Sequence, residues 1–143
     1  MITLSPHSTL LALDVGQRRI GVAIASAQAR LASPLTTLSH GESVAEEIQH
    51  LVSQHATEVL VVGLPRGLDG QRTAQTIATE EFKARLERLI PVPVYWQDEA
   101  VTSRQAEAEL RARGKPYQKE DIDALSATYI LEDFMRDHPE VFL

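Results

Sequence analysis

The fold is decided by three consecutive stretches near the N-terminus: LLALDV (10–15), GQRR (16–19) and IGVAIA (20–25). The first stretch is almost continuously apolar, as is typical of a central strand covered on both faces. The second combines one glycine with three polar residues and predicts a turn. The third predicts a strand that pairs with the first, so we expect the chain to open with a β-hairpin.

Hydrophobic periodicity predicts the next elements in order. A third strand is expected over 31–38, at a sheet edge because Pro34 has no amide hydrogen to donate to a neighbouring strand. A helix follows, opened by a Ser43–Glu46 capping box. Next come a buried strand over 58–62 that ends at Gly63, and a glycine-rich loop.

The second half of the chain alternates in a similar way. A helix stops before Pro91, a strand covers 92–96, a short helix capped by Thr102 ends at Gly114, and a final helix covers 121–136. The predicted order, βββαβαβαα, indicates an α/β protein with a mixed five-stranded sheet flanked by helices, in a single domain over all 143 residues. In such sheets ligands bind near the carboxyl ends of parallel strands.

Composition limits the classes of function. The 143 residues are 43% hydrophobic, which is typical of a globular domain, and they include no cysteine. Disulfides, thiolate metal sites and cysteine nucleophiles are therefore excluded. No apolar run is long enough to cross a bilayer, and no basic-then-apolar leader opens the chain, so we expect a cytoplasmic protein without a membrane partner.

The charge distribution supports two interpretations. The net charge of −6 disfavours nucleic-acid binding by the surface as a whole, since phosphate contacts need lysine and arginine. Residues 104–119 nevertheless hold five basic and two acidic side chains. This segment is either a phosphate-binding patch or an ordinary solvated surface, and the sequence favours neither.

Acidic residues interrupt the pattern at two places. Asp14 lies within the apolar first strand, where a carboxylate is costly unless a cation or a hydrogen-bond donor receives it. The alternative is a side chain that caps the turn at Gly16. Asp98 and Glu99 follow the strand over 92–96, and their position does not show which of them points toward Asp14.

Asp123 is the most informative acidic residue. It lies near the start of the last helix, on one stripe with three apolar residues: Ala127, Ile130 and Phe134. A carboxylate in a first helical turn also interacts favourably with the helix dipole. Its inward direction nevertheless favours a role in a site, and it favours Asp123 over Asp121.

Three convergent carboxylates would repel one another without cations. Oxygen ligands in a chain without cysteine or clustered histidine favour Mg²⁺ or Mn²⁺ over Zn²⁺. The five histidines are scattered, and we interpret them as bystanders. Two such metal ions about 4 Å apart can activate a water molecule and stabilise the leaving oxygen of a phosphodiester.

Four blocks of sequence, in this order, resemble the YqgF/RuvX family, described as Holliday junction resolvases and as pre-16S rRNA nucleases. They are residues 11–23, similar to a D-x-G-x-x-x-I-G-V-A hairpin, 61–70 (V-V-G-L-P…D-G), 98–102 (D-E-R-x-T/S-T) and 123–127 (D-x-x-S/A-A). The resemblance implies a ribonuclease H-like fold in which two aspartates and one glutamate bind two catalytic Mg²⁺ or Mn²⁺ ions.

The matching motifs give these catalytic and metal-binding roles to Asp14, Glu99 and Asp123. The chain departs from the family at Ala100, where an arginine is usual, so a phosphate contact is lost or is supplied from elsewhere. The loop Arg66-Gly67-Leu68 also replaces a more apolar, asparagine-containing stretch. We therefore expect four arginines to bind substrate: Arg18, Arg19, Arg66 and Arg104.

The resemblance implies a metal-dependent endonuclease. Two substrates fit: the 5′ end of pre-16S rRNA, a structured RNA precursor, and a four-way DNA junction, whose paired cuts favour a homodimer. One alternative is a non-catalytic protein with the same fold that binds nucleic acid or ribosome precursors. Another is an actin-like sugar or acetate kinase, whose Asp-x-Gly hairpin faces ATP, although those enzymes need two such domains.

Overall fold

The computed structural model describes residues 4–65, 69–99 and 103–142, without the side chain of Ser103. Its strands and helices follow one another as β1 (Thr9–Val15), β2 (Arg19–Ser26), β3 (Ala32–Ser39), α1 (Val44–Gln54), β4 (Thr57–Leu64), α2 (Ala74–Leu89), β5 (Val94–Asp98), α3 (Ser103–Ala112) and α4 (Lys119–Asp137), and a 3₁₀ turn (Pro139–Phe142) ends the described chain. The predicted order βββαβαβαα is confirmed.

The five strands form one mixed sheet in the order β3-β2-β1-β4-β5. β1 pairs antiparallel with β2 and parallel with β4, and β4 pairs parallel with β5. β3 pairs antiparallel with β2 and lies at an edge, as Pro34 predicts. The carboxyl ends of β1, β4 and β5 therefore meet at the same edge of the sheet.

Two apolar clusters cover the two faces of this sheet. Along β1, Leu11 and Leu13 pack with α1 and α2, whereas Leu10 and Ala12 pack with α4. Similar alternation runs through β2 and β4. Because successive side chains of a strand point to opposite faces, Asp14 lies on the face that α4 covers.

The capping box predicted at Ser43 is wrong. Ser43 precedes α1, but its side chain makes no capping hydrogen bond. Capping boxes form instead where Thr73 pairs with Thr76 at the start of α2, and where Gln118 precedes α4. The helices themselves are where the periodicity predicts them, because burial of an apolar face stabilises a helix more than one capping contact does.

The end predicted for the fourth strand at Gly63 is also wrong. β4 continues through Leu64, so Gly63 lies inside a strand. A Cβ atom added at Gly63 would come within 2.5 Å of Ile130 Cδ1 on α4. Glycine is used here for the close approach of a helix and not for a turn.

The described residues contain no helix with the length and apolar character needed to cross a bilayer. Five positions named in the sequence analysis lie outside the described residues: Arg66, Gly67, Leu68, Ala100 and Thr102.

Candidate active site

Side-chain alternation places Glu99, and not Asp98, on the same face as Asp14. Tyr95 of β5 packs in the cluster that includes α4, and Trp96 packs in the cluster on the other face. Gln97, two residues after Tyr95, points to the same face of the sheet, and its Nε2 donates to Asp137 Oδ2 at the end of α4. The backbone stays in register beyond the strand, since the amide of Glu99 donates to the carbonyl of Leu64 at 3.3 Å. Glu99 is thus the acidic residue on the α4 face.

The structure brings the three predicted carboxylates together at the carboxyl end of β1. The pKa of Asp14 is raised well above its ordinary value of 3.8, first by burial and then by its hydrogen bond to Glu99 and by the negative charges of Glu99 and Asp123. The cluster lies where the sheet architecture predicts ligand binding. We call Asp14, Glu99 and Asp123 the carboxylate cluster.

Asp123 reaches this cluster because α4 lies very close to the sheet. Gly21 of β2 is the register partner of Asp14, and a Cβ atom added to it would be 2.0 Å from the carbonyl oxygen of Asp123. Gly63 of β4 performs a similar role, since an added Cβ would be 3.3 Å from Glu99 Cγ. Neither glycine was singled out from the sequence as a site residue, although glycine inside an apolar strand often marks a close backbone approach.

The helical stripe predicted for α4 is confirmed. Ala127, Ile130 and Phe134 are buried in the core on the α4 face, and Asp123 continues that side toward the sheet edge. Asp121 is exposed and accepts a hydrogen bond from the amide of Gln118 at 2.7 Å, as a helix cap does. The two aspartates of the first turns therefore have different roles.

Arg19 contacts the carboxylate cluster directly. Its Nε donates to Asp123 Oδ2 at 2.5 Å, and the two side chains retain 32% and 20% of their accessible surface. The hydrogen bond and the negative charge of Asp123 raise the pKa of Arg19. Arg18 is exposed at the hairpin turn, and Arg104 is exposed in the first turn of α3. Arg66 lies outside the described residues, and the substrate-binding role of all four arginines stays a prediction.

Two side chains from other elements hold the turn that follows Asp14. Gln75 of α2 donates through Nε2 to the carbonyl of Val15 at 2.8 Å. His40 donates through Nδ1 to the carbonyl of Gly16 at 2.7 Å, and its amide donates to the carbonyl of Arg18 at 2.8 Å. Interpreted as a bystander in the sequence, His40 is part of the support of this turn.

The carboxylate cluster has the donor set of a hard divalent cation. Three carboxylate groups supply only oxygen ligands, and their mutual repulsion is relieved when a cation lies among them. Burial is the first cause of the raised pKa of Asp14, and the negative charges of Glu99 and Asp123 add to it. Among the described residues, no three His, Cys, Asp or Glu side chains stand in the arrangement of a preformed metal site, and Asp123 Oδ2 is bonded to Arg19. The chemistry of Asp14, Glu99 and Asp123 therefore fits a divalent metal, although their side chains would have to rearrange to bind it.

Residues 8–137 match the model of the family described as RuvX, Holliday junction resolvase. The chain belongs to the RuvX family. This confirms the resemblance in the sequence, and the family is one of nucleases, which are hydrolases of phosphodiester bonds.

Several relatives carry the provisional name of pre-16S rRNA nuclease. One from Chloroflexus aggregans is 43% identical over 133 residues, which are 90% of this chain and 94% of the relative. One from Sulfurihydrogenibium sp. is 37% identical over 130 residues, which are 90% of each chain. One from Pseudomonas savastanoi is 33% identical over 137 residues, 92% of this chain and 94% of the relative.

Among solved structures, Thermus thermophilus RuvC in complex with a Holliday junction substrate is similar to this chain with a TM-score of 0.56. The sequences are 15% identical, and the likeness covers 92% of this chain and 96% of RuvC. A likeness at this identity shows the fold alone. The prediction of a ribonuclease H-like α/β fold is confirmed.

Proposed function

We propose that this protein is an endonuclease that hydrolyses nucleic-acid phosphodiester bonds at the carboxylate cluster, with Asp14, Glu99 and Asp123 holding two Mg²⁺ or Mn²⁺ ions. The observation that carries the proposal is the convergence of these three side chains at the carboxyl end of β1, where Asp14 makes a hydrogen bond with Glu99 and interacts with the charges of Glu99 and Asp123. RuvC-like nucleases generally depend on divalent metals, which agrees with an all-oxygen donor set.

Metal ions held by these carboxylates would supply an activated water molecule and compensate the charge of the leaving oxygen. The protein's own residues hold the metal ions and orient the substrate. Asp14 interacts with both other carboxylates and so would hold a metal ion together with either of them. Glu99 and Asp123 come from different elements, one just after the end of β5 and the other from α4.

The four arginines complete the proposed site. Arg18 and Arg19 lie on the hairpin beside the cluster and Arg104 lies at the start of α3, whereas Arg66 lies outside the described residues. Guanidinium groups bind phosphate oxygens by paired hydrogen bonds, which position a backbone without reading its sequence. Cleavage specificity then comes from the shape of the nucleic acid.

For the substrate we propose structured precursor RNA, namely the 5′ end of pre-16S rRNA, and place the protein in the cytoplasm. The names of three relatives that align over at least 90% of their own length support this choice. A four-way DNA junction is the second candidate, supported by the description of the family. Junction cleavage would need two symmetric sites, and hence a homodimer.

The test compares cleavage of a pre-16S rRNA fragment and of a four-way DNA junction in MgCl₂ and in MnCl₂. The proteins are the wild type, Asp14→Asn, Glu99→Gln and Asp123→Asn, with Glu81→Gln as a matched control because Glu81 is an exposed carboxylate of α2, on the other face of the sheet. We expect the first three variants to lose at least about 100-fold in rate, as when a ligand of the catalytic metal is removed, and the control to cleave normally.

Equal cleavage by the wild type and Asp14→Asn, or cleavage that persists in excess chelator, would contradict the mechanism. Binding of the RNA fragment without cleavage in either metal would favour the non-catalytic alternative. Faster cleavage of the junction than of the RNA would reverse the order of the two substrates.

A further inference from the structure

Arg19 is a cation that contacts the carboxylate cluster directly. Its guanidinium bonds one of the three carboxylates, Asp123, at an N–O distance of 2.5 Å. The negative charge of Glu120, one helical turn earlier, also favours the charged form of Arg19. A metal ion that uses Asp123 Oδ2 as a ligand therefore has to compete with a guanidinium for the same oxygen.

The surroundings of Arg19 allow the side chain to move while its backbone stays. The backbone is fixed at the start of β2, where the carbonyl of Arg19 accepts from the amide of Gly16 at 2.9 Å and the turn is held by His40 and Gln75. The side chain keeps 32% of its accessible surface and so is not locked in the core. Rotation of an exposed side chain takes nanoseconds or less, whereas backbone rearrangement is far slower.

We propose that Arg19 is an exchangeable counter-ion of Asp123: its guanidinium neutralises this carboxylate before a divalent cation binds, and yields the carboxylate to the cation on binding. The proposal rests on the proposed function, because it assigns Asp123 to the metal. It changes what Arg19 does there, from a contact of the substrate alone to a residue that lowers the metal affinity of the site.

The distinguishing property of a counter-ion is a local effect on metal affinity. Removal of any arginine from a protein of net charge −6 favours cation binding slightly, through the overall electrostatic potential. Removal of a guanidinium bonded to a metal ligand favours it much more, because the competing contact disappears. Arg18 is the matched control, since it carries the same charge on the same hairpin and is exposed.

The experiment is calorimetric titration of the full chain with MnCl₂ and with MgCl₂. We expect Arg19→Gln to bind Mn²⁺ about fivefold more tightly than the wild type, and Arg18→Gln to change the affinity by less than about twofold. Equal effects of the two substitutions would overturn the proposal. Weaker binding by Arg19→Gln would also overturn it, since Arg19 would then be orienting Asp123 for the metal.

A second measurement uses the wild type and does not depend on a variant that folds. The Nε–H resonance of Arg19 is followed by nuclear magnetic resonance during addition of MgCl₂, with Arg72 as the internal control because its Nε donates to Glu80 at 2.9 Å on the exposed surface. We expect the Arg19 resonance to shift or to exchange with water as the metal site fills, while the Arg72 resonance stays in place. An Arg19 resonance unaffected at saturation would overturn the exchange.

Failure of this proposal is distinguishable from failure of the proposed function. If the wild type binds Mn²⁺ and loses that binding in Asp14→Asn, the metal site stands, and only the comparison of Arg19→Gln with Arg18→Gln decides the role of Arg19. If no metal binds to any of these proteins, the metal-dependent function and the counter-ion both fall.

Discussion

The backbone of Asp123 lies directly against Gly21, so that a Cβ atom added to this glycine would come within 2.0 Å of the Asp123 carbonyl oxygen. Gly21 in turn is the register partner of Asp14. Because Gly21 has no side chain, α4 can pack closely enough against β2 to place Asp123 beside Asp14. The obstructing atom belongs to the backbone of a helix packed in the core, so it cannot move aside as the end of a flexible side chain can.

Gly21→Ala is expected to destabilise the protein by about 3 kcal/mol or more, because an overpacked helix–sheet contact forces α4 away from the sheet. Gly41→Ala is the control, since a Cβ atom there meets nothing within 4 Å. The control should stay within about 1 kcal/mol of the wild type. Urea denaturation followed by circular dichroism measures both. Similar stabilities of the two variants would show that α4 is not held by this contact.

Asp14→Asn is expected to stabilise the protein at neutral pH. The pKa of Asp14 is raised above 3.8 in the folded state, so the folded protein holds this proton more tightly than the unfolded chain does. Stability is therefore lost as the pH rises from about 4 through the raised pKa, and that loss is complete above it. Asparagine is uncharged, so Asp14→Asn avoids this loss of stability.

The measurement is the melting temperature of both proteins at pH 4 and at pH 7 without divalent metals. The difference between Asp14→Asn and the wild type should be more favourable to the variant at pH 7 than at pH 4. Glu81→Gln, which removes an exposed carboxylate from α2 on the other face of the sheet, controls for the change in net charge. A variant that loses stability equally at both pH values would indicate that Asp14 is not penalised by its neighbours.

The fold and part of the site could be predicted because burial leaves a clear pattern in the sequence. Asp14 interrupts an apolar strand, and Asp123 continues an apolar helical stripe, so each is anomalous for its element. Glu99 has no such anomaly. The short strand before it carries apolar side chains on both faces, at Tyr95 and Trp96. Periodicity therefore could not show which face of the sheet Asp98 and Glu99 point to, and only the packing of β5 shows it.

Contacts between distant segments were not predictable from the same patterns. The ion pair between Arg19 and Asp123 joins residues 104 positions apart. It depends on Gly21, which has no Cβ atom and so allows α4 to pack closely against the hairpin. His40 and Gln75 were not recognised for the same reason. A polar side chain that bonds a backbone carbonyl leaves no periodic signal, since the carbonyl exists in every residue.

Gly63→Ala is expected to lower the free energy of unfolding by about 1 to 2 kcal/mol. This loss is smaller than that of Gly21→Ala because the nearest atom is the end of a side chain. An added Cβ atom would be 2.5 Å from Ile130 Cδ1, which can shift. Ile130→Val removes that methyl group at a cost of about 1 kcal/mol on its own. The double variant should therefore be more stable than the sum of the two single effects predicts.

Urea denaturation of the four proteins, the wild type, both single variants and the double variant, gives the coupling free energy. Strictly additive effects would mean that other atoms obstruct the Cβ added at Gly63, the nearest being Glu99 Cγ and Ile130 Cγ1, each at 3.3 Å. A displaced Glu99 would also lower the cleavage rate, and Ile130→Val should not restore it.

Gln75→Leu is expected to lower cleavage several-fold while destabilising the protein by about 1 kcal/mol, the usual contribution of one hydrogen bond. Gln75 donates to the carbonyl of Val15, the residue after Asp14, so its loss lets the hairpin and the carboxylate move away from the geometry that catalysis requires. Gln49→Leu is the matched control. Gln49 also donates through Nε2 to a backbone carbonyl, that of Leu89 at 3.4 Å, but it does so between α1 and the end of α2.

Both variants are compared in urea denaturation and in cleavage rate at a MnCl₂ concentration that saturates the wild type. If Gln75 acts on the site, Gln75→Leu loses rate and Gln49→Leu keeps it, even where their stabilities are alike. An equal rate in the two variants would reduce Gln75 to an ordinary stabilising contact. A rate restored in Gln75→Leu by higher MnCl₂ would instead place its effect on metal binding, since a displaced Asp14 weakens the metal site before it impairs any later step.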